Sequence, residues 1–363
     1  MRRLNTMEKN RLELYNFDFS KKIFYHPEKI VEYKDGLRPF PTTLEVDLTN
    51  ACNHKCSFCF YADNLNRRVV NGENLPPAKL DINLLKERIT EAAKLGVKGV
   101  SFSGGGEPLA HSGFSEILEH TRRQNIDCGL ITNGSLMSRR IESLANNLQW
   151  VRVSMAGGDR ASYSSVQGLD HFDLVLENVA LLRKESKELN IGIRVLVTQN
   201  NLSSVLALSK LLVELNVNYL QLAPDQYTED NGEFWGSQNT REVFSNVEEV
   251  LNSSNIKLLT TTFLKTQEKL HYPRTCYAHF FQTVLTAEGD LIFCKNARGV
   301  GKYILGNINQ NTLTEIWNSE KVLNIEKGIK PSNCGLFCRC MALNIAMEDI
   351  ANPPQDMSPN FVT

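Results

Sequence analysis

The residue types with the most pointed chemistry in this chain are its cysteines. Eight of the nine fall into two groups: Cys52, Cys56 and Cys59, and then Cys276, Cys294, Cys334, Cys338 and Cys340. The first group has CxxxCxxC spacing within LTNACNHKCSFCFYAD, residues 48–63. Three thiolates can hold three irons of a four-iron cubane and leave the fourth iron without a protein ligand. Such an open iron can take a small chelator that offers an amino and a carboxylate group. The competing reading is a zinc site closed by His54, although zinc usually takes CxxC pairs and a closed set of four ligands.

The rest of the composition narrows the setting. Of 363 residues, 42% are hydrophobic, enough for a sizeable core, and the net charge of -1 points to neither nucleic acid nor an anionic membrane. No apolar run is long enough to cross a bilayer. The opening MRRLNTMEKNRLELYNF lacks the apolar stretch of a signal peptide. A cytoplasmic location is the expectation. Disulfides are rare there, so clustered cysteines point to metal or catalysis.

The elements that must position these residues alternate in type. Residues 1–41 read as a polar N-terminal extension. From residue 42 the strand-like segments are 42–48, 97–103, 127–132, 150–155, 191–198 and 219–224, and helical patterns fall at 82–96, 111–124, 138–147, 172–189 and 202–216. Strands alternating with helices predict a parallel sheet with right-handed crossovers. Six such units are fewer than a closed barrel needs. The expected fold is α/β, a partial (β/α)6 TIM-like barrel over 42–230. A connector with a helix follows at 231–270, then a small cysteine-rich domain at 271–345 and a tail at 346–363.

A second motif falls at the right place. SGGGEPLAH, residues 103–111, follows the second strand, at the edge where barrel sites are built. Its glycines let backbone approach a ligand closely, and Glu107 is a fitting acceptor for an ammonium group. Thr132 and Asn133 end the third strand and can bond a ribose or a carboxylate. Ser154 and Arg194 lie on the fourth and fifth strands.

Across residues 42–225 the sequence resembles the radical S-adenosylmethionine (SAM) superfamily. The similarity rests on Cys52, Cys56 and Cys59, on the aromatic Phe58 before the last cysteine, and on Gly104, Gly105, Gly106 and Glu107 followed by Pro108. It implies a [4Fe-4S] cluster on the three cysteines, with SAM on the open iron. Phe58 is then placed near adenine and the glycine loop at the SAM amino group. It also implies reductive cleavage of SAM to a 5′-deoxyadenosyl radical, with electrons from a flavodoxin or ferredoxin.

The second cysteine group reads C-x12-G-x4-C from Cys276 through Gly289 to Cys294, a hairpin pattern, and closes with NCGLFCRC. A hairpin, a helix and a terminal cysteine knot form too small a core to fold without a staple. This stretch, with Gly306-Asn307 and Ile316-Trp317, resembles the auxiliary-cluster domains called SPASM in the long form and twitch in the short one. Five cysteines imply one auxiliary [4Fe-4S] cluster, with the choice of four ligands open. A zinc ribbon is the alternative. Cys128 reads as a small buried hydrophobe, and His111, just after the GGEP run, and His279, near Cys276, are candidates for the pocket without a catalytic role. Tyr227, Glu229 and Trp235 read as surface loop.

The expected reaction is hydrogen abstraction from a small polar metabolite, a sugar or aminocyclitol, leading to oxidation or epimerisation. The N-terminal extension is too short for the leader-binding domain of many peptide-modifying relatives, which weighs against a peptide substrate. Peptide or protein modification is the alternative, and a redox sensor without turnover a further one. No nucleic-acid or membrane partner is expected.

Overall fold

The computed structural model describes residues 19–59, 69–70, 73–74, 78–224, 234, 236–260, 273–334, 338 and 340–352, and structural statements refer to these. Tyr227, Glu229 and Trp235 lie outside them.

The central strands are β1 (Thr43–Asp47), β2 (Gly99–Ser103), β3 (Asp127–Thr132), β4 (Trp150–Ser154), β5 (Asn190–Val197) and β6 (Tyr219–Pro224). They pair in parallel and in sequence order, as alternating β/α units require. Residue alternation explains why they form one layer. In β4, Val151 and Val153 are buried while Trp150, Arg152 and Ser154 stand on the other face. In β2, Val100 and Phe102 are buried opposite Ser101 and Ser103. The apolar face lies against the helices; the other carries polar side chains. Parallel register then lines up Asp47 with Ser103, and Ser154 with Arg194 and Gln221.

Helices flank the sheet, most of them on its apolar face. They are α1 (Pro27–Lys34), α2 (Ile82–Lys94), α3 (Phe114–Arg123), α4 (Ile141–Asn147), α5 (Arg160–Gln167), α6 (Phe172–Glu185), α7 (Val205–Leu215) and α8 (Gln238–Asn252). In α2, Leu85, Ile89 and Ala92 recur at helical spacing on the buried face, and the Asp81 carboxylate caps the start by accepting the Leu84 N–H. Neither α5 nor the short strand β7 (Lys257–Leu259), parallel to β6, is legible in the sequence pattern. The Ser-rich RASYSSVQ of α5 has little helix propensity. Its ends make it: Asp159 caps Ser162 N–H, and Gly168 closes it with φ +80°.

The sheet does not end at β1. Strand β8 (Gln282–Leu285) pairs in parallel with β1, and β9 (Asp290–Ile292) and β10 (Ile304–Asn307) continue antiparallel. The order is β10-β9-β8-β1-β2-β3-β4-β5-β6-β7, an open ten-stranded sheet. The cysteine-rich hairpin therefore grows from the edge of the barrel sheet, next to the strand that leads into Cys52. Helices α9 (Leu313–Trp317), α10 (Glu320–Gly328) and α11 (Met341–Ala351) complete this part. Trp317 packs its ring against Phe40 at 5.1 Å.

Glu91 on α2 fixes α9. Its carboxylate accepts the N–H groups of Leu313 and Thr314 at 3.1 and 2.9 Å and the Thr314 hydroxyl at 2.8 Å. Thr312 and Glu315 add a capping box. Replacing Glu91 by Ala strips acceptors from a helix N-terminus, an expected loss of about 1–2 kcal/mol. Urea unfolding of Glu91→Ala measures it; a midpoint equal to that of the parent protein contradicts this docking role.

Candidate active site

The first cysteine group occupies a loop that leaves β1 and is held from two sides. On one side stands the end of α5. Lys55 N–H donates to the Gln167 carbonyl at 3.3 Å and Ser57 N–H to the Val166 carbonyl at 2.9 Å. These bonds satisfy carbonyls that a helix C-terminus leaves open. The buried Gln167 side chain completes the seat. Its Oε1 lies 3.0 Å from Cys56 Sγ and 3.1 Å from His54 Nδ1, and its Nε2 donates to the Ser154 carbonyl at 3.0 Å.

On the other side stands the glycine loop. Gly106 N–H donates to the Thr49 carbonyl and Glu107 N–H to the Ala51 carbonyl, both at 2.9 Å. A Cβ on Gly106 would fall 2.0 Å from the Ala51 oxygen, so only glycine permits this approach. Gly104 sits at φ +148° against Asp47. The two motifs named in the sequence are thus one backbone-bonded unit.

Glu107 anchors that unit. Its carboxylate is buried and accepts the Leu109 N–H at 3.1 Å, the Asn133 N–H at 2.8 Å and the Thr132 hydroxyl at 2.6 Å. Burial pushes its carboxyl above the usual range, and these three donors pull the other way. Asn133 Nδ2 reaches Asn53 within the cysteine loop at 2.9 Å, and Asn53 reaches Ser135 at 2.9 Å. Glu107, Thr132 and Asn133 therefore converge on each other and on the cysteine loop. Ser154 and Arg194 are register partners on the polar face of the sheet. Phe58 is half-buried in the turn between Cys56 and Cys59.

Three soft thiol donors fit an iron–sulfur cubane. Burial, then the neighbouring Cys59 and Cys52, push the Cys56 thiol up to about 12, and burial raises Cys52. Bare thiols there hold their protons, and metal binding has to displace them. Both ring nitrogens of His54 are committed, Nδ1 to Gln167 and Nε2 to His171 at 3.2 Å. Among the described residues no three His, Cys, Asp or Glu side chains close on a single metal ion. Both observations weigh against a zinc site closed by His54.

The second group also gathers. Cys276 is half-buried, and the nearby Cys294, Cys340 and Cys338 add to the effect of burial in raising its thiol. Burial leads likewise at Cys294, raised to about 11, and at Cys338, raised to about 12, with Cys340 and Cys334 adding to each. Cys334 is exposed. Asn344 Nδ2 approaches Cys276 Sγ at 3.8 Å, and its Oδ1 accepts the N–H groups of Tyr277 and Ala278 at 2.8 Å. Helix α11 thus positions the loop of Cys276.

Sequence reasoning missed Gln167, His171, Asn53, Asn344 and Arg298. Arg298 binds Glu45 and Asp47 of β1 through contacts of 2.7–2.9 Å. Asn344, inside the apolar run MALNIAM, is the one that stands out by polarity; the others lie in mixed or polar stretches and carry no such signal. Cys128 is buried as expected. His111 is held between the Leu80 carbonyl and the Gly113 N–H, both at 3.1 Å. His279 stacks on Phe293 at 4.4 Å, with Glu326 at 3.5 Å. Replacing Gly106 by Ala forces the two loops apart. A displacement of about 1 Å can cost about a hundredfold in rate, so SAM cleavage falls by that order while far-ultraviolet circular dichroism stays unchanged. Unaltered 5′-deoxyadenosine release contradicts the loop-on-loop requirement.

The family model of the radical SAM superfamily matches residues 46–212, and that of the SPASM iron–sulfur cluster-binding domain matches residues 276–341. A PqqA peptide cyclase of Gluconobacter oxydans is 24% identical over 325 residues, 84% of this chain and 87% of its own. SuiB of Streptococcus suis, bound to precursor peptide SuiA, superposes with a TM-score of 0.60 at 18% identity, covering 88% of this chain and 74% of its own. The anSMEcpe structure with bound AdoMet and Cp18Cys peptide gives a TM-score of 0.55 at 24% identity, covering 79% of this chain and 83% of its own. The structural likenesses share the fold. The expectation of a small polar metabolite, sugar or aminocyclitol, as substrate and partner is overturned: PqqA cyclases of several organisms, matched over most of their length, are named for a peptide. The cysteine and glycine motifs concern radical initiation and carry no information on what the radical attacks. No helix among the described residues is long and apolar enough to cross a membrane. With two cysteine groups built on one sheet, and with models for both parts matching about two thirds of its length between them, the chain belongs to the radical SAM superfamily and carries a C-terminal SPASM iron–sulfur domain.

Proposed function

We propose that this protein is a radical SAM enzyme that modifies a peptide, forming a covalent bond within a precursor chain. The observation that carries radical initiation is the backbone bonding of the Gly104–Glu107 loop to the cysteine loop through Thr49 and Ala51. The peptide substrate is supported by the cyclases that match along most of their length. When bound, the cluster and SAM supply a 5′-deoxyadenosyl radical that removes a hydrogen atom from the peptide.

The chain's own residues supply position. Cys52, Cys56 and Cys59 hold the cluster, and Gln167 seats the loop that carries them. The glycine loop presents backbone groups to the SAM amino group, and Glu107 keeps that loop registered on Thr132 and Asn133. Ser154 and Arg194, adjacent on the polar face, suit the polar parts of SAM. The five cysteines near the sheet edge supply four ligands to one auxiliary cluster. Cys276, Cys294, Cys338 and Cys340 are the preferred set, because Cys294, Cys338 and Cys340 are the cysteines that lie near Cys276. Forming one carbon–carbon or carbon–heteroatom bond removes two hydrogens from the peptide. Bound cofactor chemistry would account for one as an atom; the other would leave as a proton, and a cluster held by these cysteines would offer the acceptor for its electron.

The test uses anaerobically reconstituted protein with SAM, a strong reductant and candidate precursor peptides. Cys56→Ala abolishes SAM cleavage. Cys294→Ala keeps uncoupled 5′-deoxyadenosine release but yields no peptide lighter by two hydrogens. Peptide modification that survives Cys294→Ala overturns the electron-accepting role. A parent protein that never cleaves SAM overturns the enzyme assignment in favour of a sensor.

A further inference from the structure

The Arg298 guanidinium joins the two halves of the machinery. It lies just past the turn Lys295–Ala297 that follows Cys294. Its side chain is 11% exposed and donates Nε to Asp47 Oδ2 at 2.7 Å, with its terminal nitrogen NH2 bonding Asp47 Oδ1 at 2.9 Å and Glu45 Oε1 at 2.7 Å. Both acids are on β1, whose chain runs on into Cys52. Asp47 also abuts the glycine loop: a Cβ on Gly104 would lie 3.2 Å from its Cα. Arg298 returns to its own turn by donating to the Lys295 carbonyl at 3.1 Å. Lys295 Nζ reaches Gln282 Oε1 at 3.3 Å, and Gln282 Nε2 reaches Glu45 at 3.1 Å. A second tie lies nearby, where Asn50 Nδ2 bonds Glu288 in the hairpin at 3.1 Å.

A forked, bidentate pair fixes orientation as well as distance. It fixes the Cys294 turn against the strand and loop that frame the first cysteine group. We propose that Arg298 is a positioning residue that sets the auxiliary cluster in register with the SAM site through Asp47 and Glu45. A lysine retains the charge and loses the fork. The proposal rests on the auxiliary cluster, whatever the substrate.

The test compares the reconstituted full-length parent protein with Arg298→Met and Arg298→Lys. Without substrate, electron paramagnetic resonance and redox titration read the auxiliary cluster. Its spectrum and midpoint shift in Arg298→Met and shift less in Arg298→Lys, while the SAM-dependent spectrum of the first cluster persists. With peptide, 5′-deoxyadenosine released per modified peptide rises about tenfold in Arg298→Met, the scale of a small misalignment. Should Arg298→Met fail to fold, the combined Glu45→Gln, Asp47→Asn, Arg298→Gln variant leaves no unpaired buried charge and shows the same shift. An unchanged auxiliary spectrum and midpoint in whichever variant folds overturns the proposal. The spectroscopic readings need no substrate, so their failure leaves the peptide assignment standing.

Discussion

The close backbone approach of the glycine loop to the cysteine loop is the constraint around which the site is organised. Two N–H groups, of Gly106 and Glu107, bond two carbonyls, of Thr49 and Ala51, across a gap too narrow for a methyl group. Glu107 sits at this contact and uses its carboxylate on Leu109, Thr132 and Asn133, which binds the ends of β2 and β3 together. The end of α5 supports the far side of the cysteine loop. Thr132 and Asn133 are tied to this joint through Glu107, whereas Ser154 and Arg194 are placed by strand register.

A second constraint is electrostatic. Burial alone would raise the Glu45 carboxyl; the Arg298 charge and hydrogen bond, with help from Lys295, outweigh it and hold the group down at about 2. A carboxylate whose folded value is depressed adds stability at pH above its unfolded value, and that stability is lost as pH falls through the folded value. The window here runs from the ordinary carboxylate range down to about 2. Asp47, more deeply buried, is pushed up by burial, and Arg298 offsets this only in part. Removing one partner of such a buried cluster costs about 3–5 kcal/mol. The pairing of β8 with β1 places these charges together, so sheet extension and ion pairing reinforce each other.

Much of this was legible in the sequence because it is carried by local signals. CxxxCxxC, GGGEP and the six alternating strands declare themselves within a few residues each, and the six parallel strands follow those segments closely. Helix α5 did not, because RASYSSVQ lacks an apolar stripe and owes its form to Asp159 and Gly168. Strand β7 is three residues long and has no pattern to find. Gln167, Asn344 and Arg298 act across separations of tens to hundreds of residues, and a single sequence gives no register for such pairs. The substrate was misread for a related reason: the initiating residues are the same whatever the radical attacks, so motif and spacing say nothing of the target.

The most direct measurement follows the hydrogen atom. A precursor peptide deuterated at its reacting side chain is turned over anaerobically with SAM and reductant, and the released 5′-deoxyadenosine is analysed by mass spectrometry. Radical attack on the peptide predicts one deuterium in 5′-deoxyadenosine for each modified peptide. Undeuterated 5′-deoxyadenosine accompanying modification of a peptide labelled at every carbon-bound position contradicts it.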